Sequence, residues 1–476
     1  MQRVALLPFE NLSGDPALDW MSAAIPKVVA AELAGSQRSV PLVVSNLSEA
    51  LAGGATRYVH AYFDRRPGLH FEIIIEDAST HKAVRTLSVE GAVEGNPLTT
   101  ADILAQAVDP TAKPFSTSNA ASIQAWAKGD YERALALDRD FGAAWLDWAQ
   151  STALVKHDVP EALALVERAL ARDTLRAPME RARLRMLSAN LTNNSVARRE
   201  ALTELSRLAP GDSSLISAAA DSEMLARNFS EAARLYGQIL KADPNNPAVL
   251  NSLGYAYAFA GDVANARKTF ADYARFRGQE ANAFDSMGEA LFVNGQFAEA
   301  EKQFLEAHSN NPKMLSGGDL AKAAYAHWLA GDLPGADRIF AQFVQFRTQS
   351  GDPTTIWREA AWLRTTGRSA QGEAKLAKPQ APLPPQVAEL AAKQIQVWKD
   401  PEFPTDPDRL RQVYESTPPA ADGLIRTLYA AALEGAGKPE EARKLLILWP
   451  LPEQPGDPLR QSLIYPLFQA LKGKLR

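Results

Sequence analysis

Six histidines, His60, His70, His81, His157, His308 and His327, are the first candidates for chemistry in this chain of 476 residues. His60 and His70 stand on consecutive segments of alternating pattern. A metal pair would need them to face each other across two strands; packed or solvated imidazoles satisfy the same pattern. Cysteine is absent, which excludes disulfides, thiolate zinc sites and cysteine nucleophiles. The sequence holds no HExxH helix, Walker loop, strand-following GxGxxG or GxSxG elbow. The loop Asn11–Gly14 could cradle an anion at a helix start, and equally makes a plain turn. Glu299 and Glu301 beside Lys302 are solvated helix-surface charge. These residues give no catalytic constellation, no cofactor site and no metal site, and they argue against an enzyme.

Composition narrows the remaining classes. Hydrophobic residues are 46% and charged residues 22%, ordinary for a folded globular chain. The net charge of −5 gives no bulk basicity to hold a phosphate backbone, which argues against nucleic acid as a partner. No run of about 18 apolar residues suggests a membrane span. The N-terminus shows no export leader, so the chain as given reads as cytoplasmic by default, and as periplasmic if an upstream leader or anchor has been removed.

Binding residues need a scaffold, and the stretch from Pro247 to Pro312 supplies its period. Gly254 aligns with Gly288, Gly261 with Gly295, Ala266 with Ala300 and Phe270 with Phe304, an offset of 288 − 254 = 34 residues. A fixed period in this range means stacked units. Leu250, Leu253 and Tyr257 share one face of a first helix, and Ala266, Phe270 and Ala274 share one face of a second. Small residues at Gly254 and Ala266 let the two axes approach, and Gly261-Asp262 breaks the chain between them. Neither hairpin buries its apolar face alone, so neighbours must stack. The pattern resembles the tetratricopeptide repeat. Weaker copies flank the central pair from Ala120 to Leu376. Proline clusters at Lys378–Pro385, Pro401–Pro407 and Pro450–Pro458 break up the C-terminal hundred residues. The expected solenoid therefore spans 120–376, with further hairpins and a capping helix over 386–476, about eight hairpins in all.

The first 115 residues read as a separate α/β unit. A short strand ending at Pro8, a turn-rich loop and a helix with Met21, Ile25, Val28, Val29 and Leu33 on one face come first. A second short strand and helix come next. The period then changes to two: Val59, Ala61 and Phe63 run out, the chain turns at Arg66–Gly68, and Leu69, Phe71, Ile73 and Ile75 run back. Val84–Val93 makes a third strand. This predicts an antiparallel meander with one apolar face covered by the two early helices. The residues VALLPFENLSGD and the meander resemble the TolB amino-terminal-like module of bacteria. That resemblance implies a periplasmic or sensory, signalling setting. The fold class is thus an α+β N-terminal module followed by an all-α solenoid.

The tetratricopeptide resemblance implies that the first helix of each hairpin lines a concave groove. The positions one turn off the buried face are then Ser217, Asp221 and Met224; Asn251, Tyr255 and Phe259; Asp285, Glu289 and Phe292; and Lys322, Tyr325 and Trp328. They form an aromatic stripe bordered by acids, suited to a protein or peptide segment with basic and apolar side chains. The same positions fit an inter-repeat core, and the sequence leaves the two readings open. A hollow filled by the chain's own tail would defeat the groove. The expected function is a non-enzymatic interaction scaffold. The alternatives are a regulatory fragment whose α/β module receives a signal, and a hydrolase with a site between domains.

Overall fold

The computed structural model describes all residues except 1, 37, 67, 93–97, 176, 378–384, 400–401, 447–457 and 476. The expected turn residue Pro67 and most of the three proline clusters lie outside the described residues. Two compact units divide the chain, Met1–Ala219 and Ala220–Arg476, with the boundary inside the helix Ser213–Leu225.

In the first unit, six strands form one mixed sheet: β1 (Gln2–Leu6), β2 (Glu10–Asn11), β3 (Ser39–Val43), β4 (Arg57–Arg66), β5 (Gly68–Asp77) and β6 (Lys82–Ala92). The order is β3-β1-β4-β5-β6, with β2 also paired to β4. The meander β4-β5-β6 is antiparallel as the period-two pattern predicts. The early strands extend it, because β1 pairs in parallel with both β3 and β4. Val59, Ala61, Phe63, Phe71, Ile73 and Ile75 are buried on one face.

That face is covered differently from the sequence expectation. Helix α1 (Trp20–Leu33) buries Met21, Ile25, Val28, Val29 and Leu33 against it, but its companion is α3 (Leu98–Val108), which follows the meander in the chain. The short α2 (Leu47–Ala52) sets Ala50 with Ala5 and Tyr58 instead. Successive strand residues point to opposite faces, so Ala5 and Tyr58 face away from Val4 and Val59.

Helical hairpins make up most of the remaining chain in both units. Those of the first unit are Ala120–Ala127 with Tyr131–Leu137, Gly142–Leu154 with Val159–Leu170, and Pro178–Leu191 with Ser195–Leu208. The second unit holds Pro247–Phe259 with Val263–Tyr273, Glu280–Val293 with Phe297–Asn310, Gly318–Leu329 with Leu333–Gln349, and Thr355–Thr365 with Ser369–Ala377. The 34-residue alignment has a direct structural counterpart. A Cβ added at Gly254 would lie 2.5 Å from the Phe270 ring, and one at Gly288 would lie 2.5 Å from the Phe304 ring. Each glycine therefore admits the aromatic of its own second helix, and Phe270 and Phe304 are 1% and 0% exposed. After residue 384 come Pro385–Lys399, Pro407–Ser416, the hairpin Gly423–Gly435 with Pro439–Leu445, and Pro458–Lys474.

Candidate functional site

The helix spacing that singles out the first-helix residues places them in three environments. Ser217 lies in the first unit, half-buried. In the second unit, Asp221 is exposed and accepts a hydrogen bond from the Tyr236 hydroxyl. Met224, Asn251 and Tyr255 are half-buried, and Phe259 is buried in a stack with Tyr255 and Phe229, centroids 6.1 and 5.4 Å apart. Asn251 and Tyr255 are four residues apart and so share a helix face. Among the described residues nothing hydrogen-bonds the Asn251 Oδ1, which is itself buried.

Asp285, Glu289 and Lys322 do come together, but inward. The Lys322 Nζ donates to Asp285 Oδ1 and to Glu289 Oε1, both at 2.6 Å, and Lys322 is fully buried. The Tyr255 hydroxyl donates to Glu289 Oε2 at 2.5 Å and sits 3.2 Å from the Ser286 hydroxyl. Burial pushes the Glu289 carboxyl up, with the Asp285 charge adding to it and Lys322 opposing. Burial works against the Lys322 charge, yet two carboxylates outweigh it and hold the amine above its ordinary range. These groups satisfy one another, so the acidic border expected for a basic partner loses two of its three members.

Asp319 completes this cluster and escaped the sequence reading. It is fully buried, and burial together with the neighbouring Asp285 raises it to about 8. The repeat gave no signal for it: the step here is 331 − 295 = 36 residues between turn glycines, so the place equivalent to Asp285 is Ala321 and Asp319 lies two residues before it.

The aromatic residues of the last two trios are also packed against neighbours. Phe292 packs edge-on against Phe297 at 5.3 Å. Tyr325 is buried, edge-on to Trp362 at 5.1 Å. Trp328 meets Trp362 at 6.0 Å and Tyr465 of the helix Pro458–Lys474 at 4.7 Å. That C-terminal helix is fixed where Arg364 donates to Trp398 O at 2.9 Å and Ser462 O at 3.3 Å. Elsewhere in the unit, Arg227 donates to Tyr414 O, Thr417 O and Asp422 Oδ2 at 3.1, 3.2 and 2.8 Å. The chain's own C-terminal segment thus packs on the stripe at Trp328. Phe259, Asp285, Phe292, Lys322 and Tyr325 are core residues in this structure rather than an open lining. The partly accessible stretch runs from Asp221 to Tyr255.

The other candidates resolve simply. In the sheet register His60 lies opposite Ile74 and His70 opposite Asp64, so the two imidazoles are not cross-strand partners. His60 meets Glu76 at 2.8 Å, and His70 meets Ser88 at 3.0 Å. No group of three metal-ligating side chains occurs among the described residues. In the Asn11–Gly14 loop, Asn11 Oδ1 accepts from the Ser13 amide at 3.0 Å and hydroxyl at 2.6 Å, and Asp15 caps Ala17 at 2.9 Å. No helix of the described residues is long and apolar enough to cross a membrane.

A family model described as tetratricopeptide repeat matches residues 223–288. With the paired helices and the glycine–phenylalanine crossings, it defines the class: the chain carries tetratricopeptide repeats behind an N-terminal α/β module. A crystal structure of MamA protein is similar with a TM-score of 0.31 at 11% identity, covering 37% of this chain and 94% of that one. A crystal structure of YrrB, titled a TPR protein with an unusual peptide-binding site, is similar with a TM-score of 0.33 at 15% identity, covering 41% and 97%. Comparison with curated protein sequences gives no match.

Proposed function

We propose that this is a non-enzymatic interaction scaffold whose repeats hold an extended peptide segment of another protein along Asp221, Met224, Asn251 and Tyr255. The observation that carries the reading is the Asn251 amide, with its oxygen buried and unbonded on the face it shares with Tyr255. A buried amide left without a partner costs about 1–3 kcal/mol, and a peptide backbone offers the donor and acceptor that would satisfy it. Met224 and the Tyr255 ring supply apolar contact beside it. Because Asp285 and Glu289 are engaged by Lys322, the preferred segment is apolar with few charges rather than strongly basic.

Selection of a displayed random-peptide library on the full chain tests this. Peptides enriched on the wild type should lose roughly tenfold or more in affinity on Asn251→Ala, the worth of one buried hydrogen-bonding pair, with the helical circular dichroism unchanged. Equal binding to the variant would refute the assignment.

A further inference from the structure

A cavity of about 410 Å³ opens in the first unit, between the C-terminal end of α1, the segment 113–116 and the starts of the helices Gly142–Leu154 and Pro178–Leu191. It falls within the range of about 300–1,000 Å³ typical of small-molecule sites. Phe115, Leu146, Met179 and Leu208 give it a carbon lining. Gly35 keeps one wall open, since the nearest atom to a Cβ there would be Lys113 Cγ at 3.6 Å.

Three charged side chains reach this cavity: Lys113, Glu180 and Arg183. Glu180 is 8% exposed, and one of its two oxygens is held. It accepts from the Ser116 hydroxyl at 2.5 Å and lies so close over Gly142 that a side chain there would collide with it. The two cations are held less firmly. Among the described residues no hydrogen bond or ion pair engages the Lys113 ammonium or the Arg183 guanidinium; Glu180, Asp147 and Asp212 act on Arg183 only through longer-range attraction. A half-buried guanidinium with five donors and no acceptor against it is an incomplete arrangement. The helix Pro178–Leu191 adds to the positive end, because its N-cap residue Ala177 offers no side-chain cap and its first turn borders the cavity.

We propose that this cavity binds a small amphipathic carboxylate, with its head between Lys113 and Arg183 and its chain among Phe115, Leu146, Met179 and Leu208. Two cations against one carboxylate disfavour an amine. A wholly apolar ligand would leave Arg183 without an acceptor. The volume suits one short acyl or aryl chain. This site shares no residue with the peptide-binding stretch. It gives the α/β module a physical means of sensing a small molecule, because one wall belongs to α1 and the others to the helical hairpins.

Calorimetric titration of the full chain with decanoate, decanol and decylammonium tests the assignment. Decanoate should bind and raise the melting temperature, decanol should bind at least tenfold more weakly, and decylammonium should not bind. Lys113→Glu changes an exposed residue, so the fold is retained; it should weaken decanoate roughly tenfold, about 1.4 kcal/mol. Ala177→Trp, on the lining, should fill the space and block it. Asn251→Ala should bind decanoate as the wild type does, which separates this site from peptide capture. Absence of binding, equal affinity for decanol, or unchanged decanoate binding in both Lys113→Glu and Ala177→Trp would overturn the proposal.

Discussion

Two charge clusters, one in each unit, are built on opposite principles. Around Lys322 the ions meet at 2.6 Å, a tyrosine closes the remaining lone pair, and the amine is fully buried. Around Arg183 the charges stay at longer range and face a cavity. The first arrangement uses its charges on itself and fixes how two successive repeats stack. The second leaves a cation and open space on the same wall. A buried cation held directly by two carboxylates is architecture, whereas one that stops short at a cavity marks a place for something else.

Removing the cation from each cluster separates the two most sharply. Lys322→Met leaves Asp285, Glu289 and Asp319 facing one another without a counter-charge. Breaking a buried pair in this way costs about 3–5 kcal/mol. Arg183→Met gives up only longer-range attraction and should cost roughly 1 kcal/mol. Denaturant titration, followed as separate transitions if the two units unfold independently, reads both. Equal losses would mean that Arg183 is as structural as Lys322 and would erase the contrast.

This contrast shows how far the sequence can be read. The repeat was legible because its period is carried by side-chain volume: Gly254 and Gly288 admit Phe270 and Phe304, and a Cβ at either place would push the ring aside. The meander was legible for the same reason, as Val59, Ala61 and Phe63 alternate with the strand pleat. The cover of Trp328 by Tyr465 was not, since a contact spanning 465 − 328 = 137 residues leaves no local pattern. Helical spacing told which residues share a face with Tyr255, but not whether a neighbouring helix would close over that face. Lys322 was read as a groove cation on that account. Nothing in the repeat pattern hinted that Asp319 joins Asp285, since it stands two residues before the equivalent place, Ala321. The cavity beside Arg183 is assembled from five chain segments, and no one of them carries a motif.

The closed cluster has its own pH signature. Asp319 sits at about 8, well above its ordinary 3.8, because burial and Asp285 favour the neutral form. Its raised value means that the stability it contributes is complete below pH 4 and is lost as pH rises towards 8. Asp319→Asn removes that dependence while keeping the shape. The variant should melt close to the wild type near pH 4 and progressively above it up to pH 8, as thermal scans across that window would show. A pH-independent difference would place the Asp319 proton elsewhere and weaken the description of the cluster as self-contained.

The smallest effect belongs to the open cluster, and it concerns binding more than stability. Burial pushes Glu180 up to about 7, with Ser116, Arg183 and the amides at the start of the helix Gly142–Leu154 working against the rise. Lys113 approaches from the segment 113–116, and Asp147 on the facing helix acts through Arg183. Below pH 7 the cavity therefore presents two cations and a neutral carboxyl; above it, the carboxylate cancels one of them. A carboxylate ligand should bind several-fold more weakly at pH 8 than at pH 6, the sense expected from like charges in one site. In Glu180→Gln that slope should flatten, with the tighter affinity kept at pH 8. Decanoate titrations at the two pH values measure it. A slope that persists in Glu180→Gln would assign the titration to another group.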